Sequence, residues 1–261
     1  MNCWRSLLEA PAEGNHIVQV YEDDDFLVDA LSHFVGSGLA RGEGVVLVVT
    51  PRHWEACLRR LGAHRVAPHD AELRGQLAVI NARTALARLM VDGMPDWKTF
   101  QDLVGTVINL TRRKYPRVRA FGEMVDLLWQ HGERAAALRL EELWNHLIKV
   151  QSLTLCCAYR MDPLDGDAVQ NVCRQHSHLL PAHDYEQLEA RVGRASDAVL
   201  GTGIARLVRD LAAARRPSTE MPAAQAMLLW MKEHMPISAE KVLSRLRAGR
   251  RRKAMPVPTE A

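Results

Sequence analysis

A carboxylate at the end of a buried strand is costly unless it has a partner or a task, and Glu123 holds such a position. It follows an apolar run at 118–121 and Gly122, and it precedes a helical region carrying Trp129, Glu141, Trp144 and Asn145. Ligands of open α/β sheets bind outside the carboxyl ends of the strands, which makes Glu123 a candidate ligand-facing group. Pairing to an arginine such as Arg119, or to a helix end, is the structural alternative. Trp129 and Trp144 sit at helical spacing, which suits a core. It also suits the wall of an apolar pocket in which one carboxylate orients a small organic effector. Glu141, one turn before Trp144 and Asn145, is either a second polar anchor or a solvated side chain.

The same reasoning gathers Tyr21, Thr50, Asn81 and Tyr159 at the carboxyl ends of their strands, on the side of Glu123. His16 lies about 17 Å from Tyr21 along an extended chain, so the two cannot share a small site, and His16 is expected to tie down the sheet's edge. Cys173, His176, His178 and His183 are all metal-ligand types, but C-x-x-H-x-H is not a familiar zinc spacing, and no metal or other cofactor is expected. No Ser-His-Asp order, nucleophile elbow or acidic dyad is visible. The chain reads as a non-enzyme.

Short β-branched runs alternating with helical segments give the elements that hold these groups, the pattern of a parallel sheet flanked by helices. Five strands are expected at 17–21, 45–50, 77–81, 118–121 and 153–159. The run at 45–49 is apolar throughout, as in a central strand buried on both faces. Helices are expected at 26–35, at 53–61 (ended by Gly62), at 82–91 (stopped by Asp92-Gly93), and from an N-capping Asp96 to about 114. Further helices follow at 125–131, 133–150 and 165–174. Beyond Pro181 the alternation stops, and 185–214 reads as one helix, about 45 Å long. After a linker at 215–222, helices at 223–235 and 238–246 are split by Pro236. Their apolar faces look too small for a core of their own. They should dock on the α/β domain or on another copy, and a two-fold dimer is the commonest closed solution. Folding back onto its own sheet, with Met227, Leu228 and Trp230 covering the rest of the long helix, is the alternative. The organisation is then an N-terminal extension (1–13), an α/β domain (14–182) and a helical extension (183–261).

The motif G-E-M-V-D-L-L-W followed by L-R-L-E-E-L-W-N resembles the DcmR-like sensory (MEDS) domain, a family of bacterial input modules with a degenerate RecA/KaiC-like fold. H-I-V-Q-V-Y at 16–21 is similar to that family's first strand, and G-L-A-R-G-E-G-V-V-L-V-V-T at 38–50 to its second. S-L-T-L-C-C-A-Y at 152–159 resembles its last core strand, and H-S-H-L-L-P-A at 176–182 its closing segment. The likeness covers roughly 14–190. It implies a three-layer parallel-sheet α/β domain and a sensory role linked to small hydrocarbon-derived compounds, in transcriptional or two-component regulation. A RecA/KaiC-like ATPase would need a glycine-rich phosphate loop with a Lys after the strand at 45–49. T-P-R-H-W-E-A stands there instead, without glycine or lysine. Arg52 and His53 remain able to meet an anion at a helix N-terminus.

Composition is that of a soluble globular protein, with 48% hydrophobic and 25% charged residues. No apolar run approaches the roughly 20 residues a membrane span needs. The first residues carry Glu9 and Glu13 and lack the apolar core of a secretory signal. Five cysteines without C-x-x-C spacing fit a reduced, cytoplasmic protein. The net charge of +3 conceals an asymmetry, because 201–261 holds 12 Lys or Arg against 5 Asp or Glu, +7, leaving −4 for the rest. Arg247, Arg250, Arg251, Arg252 and Lys253 carry most of that excess and could contact nucleic acid, though a solvated, disordered end is the plainer reading. The expected output is a protein partner in a signalling pathway, reached as a homodimer. A nucleotide-binding enzyme of KaiC-like descent and a nucleic-acid-binding regulator are the alternatives.

Overall fold

A computed structural model describes residues 3–63, 66–162, 166–180, 185–214 and 221–253. Helix α1 (Cys3–Glu9) leads into β1 (His16–Tyr21), α2 (Asp24–Ala40), β2 (Gly44–Val49), α3 (Pro51–Ala63), α4 (Pro68–Leu73) and β3 (Leu77–Asn81). Helix α5 (Ala82–Leu89) ends in a two-residue hairpin, β4 (Met90–Val91) and β5 (Met94–Pro95). Its turn places Asp92 and Gly93 at φ 50° and 77°. Residues 90–91 are therefore extended, and the expected helix at 82–91 stops two residues early.

Asp96 caps the next helix, accepting from the Thr99 backbone N–H at 2.8 Å, the arrangement that satisfies a first-turn donor. That helix runs as α6 (Trp97–Phe100), a π-helical turn (Gln101–Gly105) and α7 (Thr106–Arg112). Then follow β6 (Val118–Gly122), α8 (Met124–Gln130), α9 (Arg134–Gln151), β7 (Thr154–Arg160), α10 (Gly166–Cys173) and β8 (His178–Leu180).

The large sheet has six strands in the order β3-β2-β6-β7-β1-β8, and every pairing within it is parallel. Five strands were expected; β8 is the sixth, a three-residue edge strand too short to announce itself by alternation. Side chains of successive strand residues point to opposite faces. Val18, Val20, Val46, Val48, Ala120, Cys157 and Tyr159 join one core beneath α5 to α10. Ile17, Tyr21, Val45, Leu47, Phe121, Cys156 and Ala158 join the other beneath α1 to α4. The chain is a three-layer α/β protein with a helical C-terminal region.

At the amino end of the sheet Arg119 is buried and ion-paired with Glu43, its Nε donating to Oε2 at 2.6 Å. Its Nη1 donates to the carbonyls of Leu8 and Phe34 at 3.0 and 2.9 Å. One guanidinium thereby ties α1, α2 and the turn before β2 together. Gly38 leaves room for it, since a Cβ there would stand 2.7 Å from Arg119 Cδ. Arg119 is thus the partner of Glu43 and not of Glu123.

Two further expectations change. Gly62 lies inside α3 and does not end it. The single helix expected at 185–214 is two, α11 (Tyr185–Leu200) and α12 (Thr202–Ala214), broken at Gly201 with φ 77°. With α13 (Ala223–His234) and α14 (Pro236–Lys253) they enclose their own core of Leu188, Val192, Val208, Met227, Leu228, Met231, Val242 and Leu243. The four helices pack their apolar faces against one another and not chiefly against the sheet, so the expectation that these faces are too small for a core of their own does not hold. Ala226 of α13 nonetheless belongs to the core beneath α10. The backbone of the basic run at 250–253 continues α14; the side chains of Arg250, Arg251, Arg252 and Lys253 lie outside the described ones, and Arg247 is exposed.

Candidate functional site

At the carboxyl ends of β1, β2, β6 and β7 the structure assembles a connected polar network. β6 ends at Gly122, whose missing side chain leaves space for Trp144; a Cβ would meet the indole at 3.4 Å. The chain then turns Glu123 inward, 2% exposed. Its Oε2 accepts from the Thr50 backbone N–H at 2.7 Å, at the N-terminus of α3, and Oε1 meets His53 Nδ1 at 2.6 Å. Helix N-termini attract anions because their first N–H groups lack intrahelical partners. The protein's own carboxylate fills that position, where a phosphate loop would place phosphate.

His53 Nε2 lies 3.6 Å from Asp24 Oδ1, and Arg160 Nη1 lies 3.7 Å from the same oxygen. Arg52 also pairs with Asp24. Burial works against a charge on His53, but Glu123, as hydrogen-bond partner and charge, and then Asp24 outweigh it and raise its pKa. Beside it, Tyr21 donates to Asp126 Oδ2 at 3.1 Å, while Asp126 Oδ1 accepts from the Arg160 backbone N–H at 2.8 Å. Burial first, then the neighbouring carboxylates Asp126 and Glu123, push the Tyr21 phenol far up. Burial also raises the Asp126 carboxyl, and its hydrogen bonds act in the opposite direction. Outside this network a cleft of about 480 Å³ between α2 and α3 is lined by Asp24, Asp25, Val28, Arg52, His53, Ala56, Arg59, Arg60 and Ala63.

Tyr21, Thr50, Arg52, His53 and Glu123 therefore stand together, and the other candidates stand elsewhere. Asn81 is exposed at the edge strand and spends its side-chain oxygen capping α5, accepting from the N–H groups of Arg83 and Thr84 at 3.0 and 3.2 Å. Tyr159 is in register with Val20, not Tyr21, which puts it on the opposite face of the sheet from the network. Trp129 packs edge-on to Tyr159 at 5.6 Å, and Trp144 packs edge-on to Phe100 at 4.9 Å. Both indoles are core. Asp24, Asp126 and Arg160 escaped sequence reasoning, although Asp126 follows Glu123 by three residues, one turn along α8.

On the α9 face a second polar cluster lies buried in the core. Glu141 is fully buried and not solvated. Tyr159 donates to its Oε1 at 2.6 Å, His176 Nε2 lies 3.4 Å from that oxygen, and His16 Nε2 lies 3.3 Å from Oε2. Cys157 Sγ is 3.7 Å from Oε2 and 3.4 Å from His16 Nε2. The His16 side chain accordingly reaches into the core, while its backbone holds the edge: its N–H donates to Ser177 Oγ at 2.9 Å and its carbonyl accepts from the Ser177 N–H at 2.7 Å, beside the edge strand β8. Burial opposes the charge on Glu141, yet His176, His16 and Tyr159 bring its pKa down to about 2. Burial, followed by the His16 charge, lowers His176 to about 4. Burial and the Glu141 carboxylate hold the Cys157 thiol and the Tyr159 phenol well up. Of the set Cys173, His176 and His178, among the described residues only His176 joins a cluster of potential ligands; His183 lies outside them. A pocket of about 670 Å³ opens onto the cluster past Gly14, His16, Asn145, His146, Gln175, His176 and Ser177.

Compared with known proteins, residues 15–177 match the family described as MEDS, the MEthanogen/methylotroph, DcmR Sensory domain. Among curated proteins no match was found.

Proposed function

This chain belongs to the MEDS family of DcmR sensory domains, and on that premise we propose that it is a non-catalytic regulator that binds a small organic effector and signals to a partner protein. The observation that carries the non-catalytic reading is Glu123. Its carboxylate takes the Thr50 N–H just before α3 and is hydrogen-bonded to His53, which supports the reading that this helix start does not serve a nucleotide phosphate.

The cleft between α2 and α3 is where the effector is proposed to bind. Its wall carries Arg52, His53, Arg59 and Arg60 beside Val28, Ala56 and Ala63, which suits a small molecule with an oxygen-bearing head and an apolar body. Arg52 and His53 both touch Asp24, the first residue of α2. An effector that competes for these cations would loosen α3 from α2 and pass a signal to whatever partner reads that face. Output through a homodimer in transcriptional or two-component regulation is part of the proposal. It is supported by the exposed stripe Ile204, Leu207 and Leu211 on α12, which are 52%, 57% and 39% exposed. Four buried free thiols, Cys57, Cys156, Cys157 and Cys173, support a reduced, cytoplasmic setting. Among the described residues no helix is long and apolar enough to cross a membrane.

Thermal-shift measurements on the full chain with ATP–magnesium and with a panel of small alcohols, amines and carboxylates test this reading. Stabilisation by a panel compound, lost in Arg52→Ala, is expected. Stabilisation and turnover with ATP alone would overturn it.

A further inference from the structure

We propose that His16, Glu141, Cys157 and His176 form a tetrahedral binding site for a divalent metal ion of the zinc class. The site is independent of the effector cleft, on the other face of the sheet, and stands whether or not that cleft binds an effector.

Geometry is the first support. The four ligand atoms, one from each residue, all lie within 4.8 Å of one another. Zinc bonds of about 2.0–2.1 Å to nitrogen or oxygen and about 2.3 Å to sulfur give tetrahedral edges of about 3.3–3.6 Å. The observed separations are 3.3 Å for His16 Nε2 to Glu141 Oε2 and 3.4 Å for His176 Nε2 to Glu141 Oε1. For the sulfur they are 3.4 Å to His16 Nε2 and 3.7 Å to Glu141 Oε2. The three edges among His16 Nε2, Cys157 Sγ and Glu141 Oε2 thus lie within a few tenths of an ångström of tetrahedral values, and His176 Nε2 lies no more than 4.8 Å from each of the other ligand atoms.

The groups behind the ligands are the second support. His16 Nδ1 lies 2.9 Å from Asn145 Oδ1, and the Asn145 amide is oriented by its Nδ2 donating to the Gln175 carbonyl at 3.0 Å. His176 Nδ1 lies 2.7 Å from the Val172 carbonyl. An oxygen acceptor on Nδ1 makes that nitrogen the proton carrier, so in the neutral ring Nε2 presents a lone pair to the cluster. This is the outer-shell arrangement that orients metal-binding histidines. Tyr159 donates to Glu141 Oε1, as the hydrogen-bonded carboxylates of such sites do.

Binding displaces the Cys157 thiol proton to solvent and forms the metal–thiolate bond, with no change in oxidation state. The pocket lined by His16, Asn145 and His176 gives the ion a way in. The mixture of soft thiolate, imidazole and one carboxylate favours zinc or cobalt over magnesium or calcium.

The test uses the full chain, stripped with chelator and titrated with cobalt(II) and then zinc. One cobalt per chain, with a thiolate-to-cobalt charge-transfer band and tetrahedral visible bands that zinc abolishes, is expected. Cys157→Ser should lose the charge-transfer band and bind zinc at least tenfold more weakly. Cys156→Ser should keep both, because Cys156 lies on the opposite face of the same strand. X-ray absorption on the unmodified protein needs no variant and should show one sulfur and two imidazoles around the metal. Failure of the wild-type protein to bind, a metal shell without sulfur, or an unchanged band in Cys157→Ser would each overturn the proposal. Any of these results would leave a buried histidine–glutamate ion pair as the cluster's role.

Discussion

Replacing Glu123 by glutamine tests the network at its centre. The carboxylate accepts from the Thr50 N–H at 2.7 Å and from His53 at 2.6 Å, and hydrogen bonds to charged groups contribute about 1.5–3 kcal/mol each. Glutamine can still accept from Thr50 but loses the charge that holds the imidazolium. The expected loss is about 2–3 kcal/mol near pH 6, or roughly 4–12 °C in Tm for a chain of this size. The penalty must depend on pH in one direction. His53 is raised above its ordinary value when folded. Its contribution is therefore fully present below the unfolded pKa of about 6.5 and fades as pH rises through the folded value. At pH 9 only the Thr50 part should remain, about 1 kcal/mol. Urea denaturation of wild type and Glu123→Gln at the two pH values measures the difference, and an NMR titration of His53 reports its pKa directly. An equal penalty at both pH values, or a wild-type His53 titrating below its ordinary range, would refute the pairing.

Arg119→Met leaves Glu43 only its more exposed partners Arg41 and Arg117 and should cost about 3 kcal/mol, the low end for a broken buried pair, read as a fall in the urea midpoint at unchanged slope; a loss under about 1 kcal/mol would show that the guanidinium does not organise the amino end. Gly44→Ala should destabilise strongly, because the added Cβ would stand 2.4 Å from Thr111 Cγ2 and 3.2 Å from Tyr115 Cβ; a wild-type Tm would show that α7 yields freely. Ile204→Glu with Leu207→Glu should convert a dimer to a monomer in light scattering without unfolding it, and a monomeric wild type would remove the proposed interface.

The fold was legible where periodicity was long and the site where it fell on strand ends. The continuous apolar run at 45–49 identified β2 as a central strand, and its end placed Thr50, Arg52 and His53 opposite Glu123. The misreadings of the polar groups share a cause: each depended on a contact far away in sequence. Tyr159 and Tyr21 both sit near the ends of strands, but the β1–β7 register decides that they face opposite layers. Sequence leaves Glu141 open between a polar anchor and a solvated side chain because its partners, His16 and His176, lie 125 and 35 residues away along the chain. Cys157 stands in the apolar run of β7, where sequence gives a cysteine no sign beyond that of a small hydrophobe. Gly201 did carry a local signal, a glycine followed closely by Gly203, and it breaks the helix that apolar spacing alone had joined.

Isothermal titration of the full chain with ATP–magnesium, paired with a phosphate-release assay, meets the central reading most directly. With the Glu123 carboxylate seated on the α3 N-terminus, neither binding heat nor phosphate release above the buffer rate is expected, in wild type or in Glu123→Gln. Hydrolysis by the wild type that Glu123→Gln abolishes would make Glu123 a catalytic carboxylate and contradict the non-catalytic assignment.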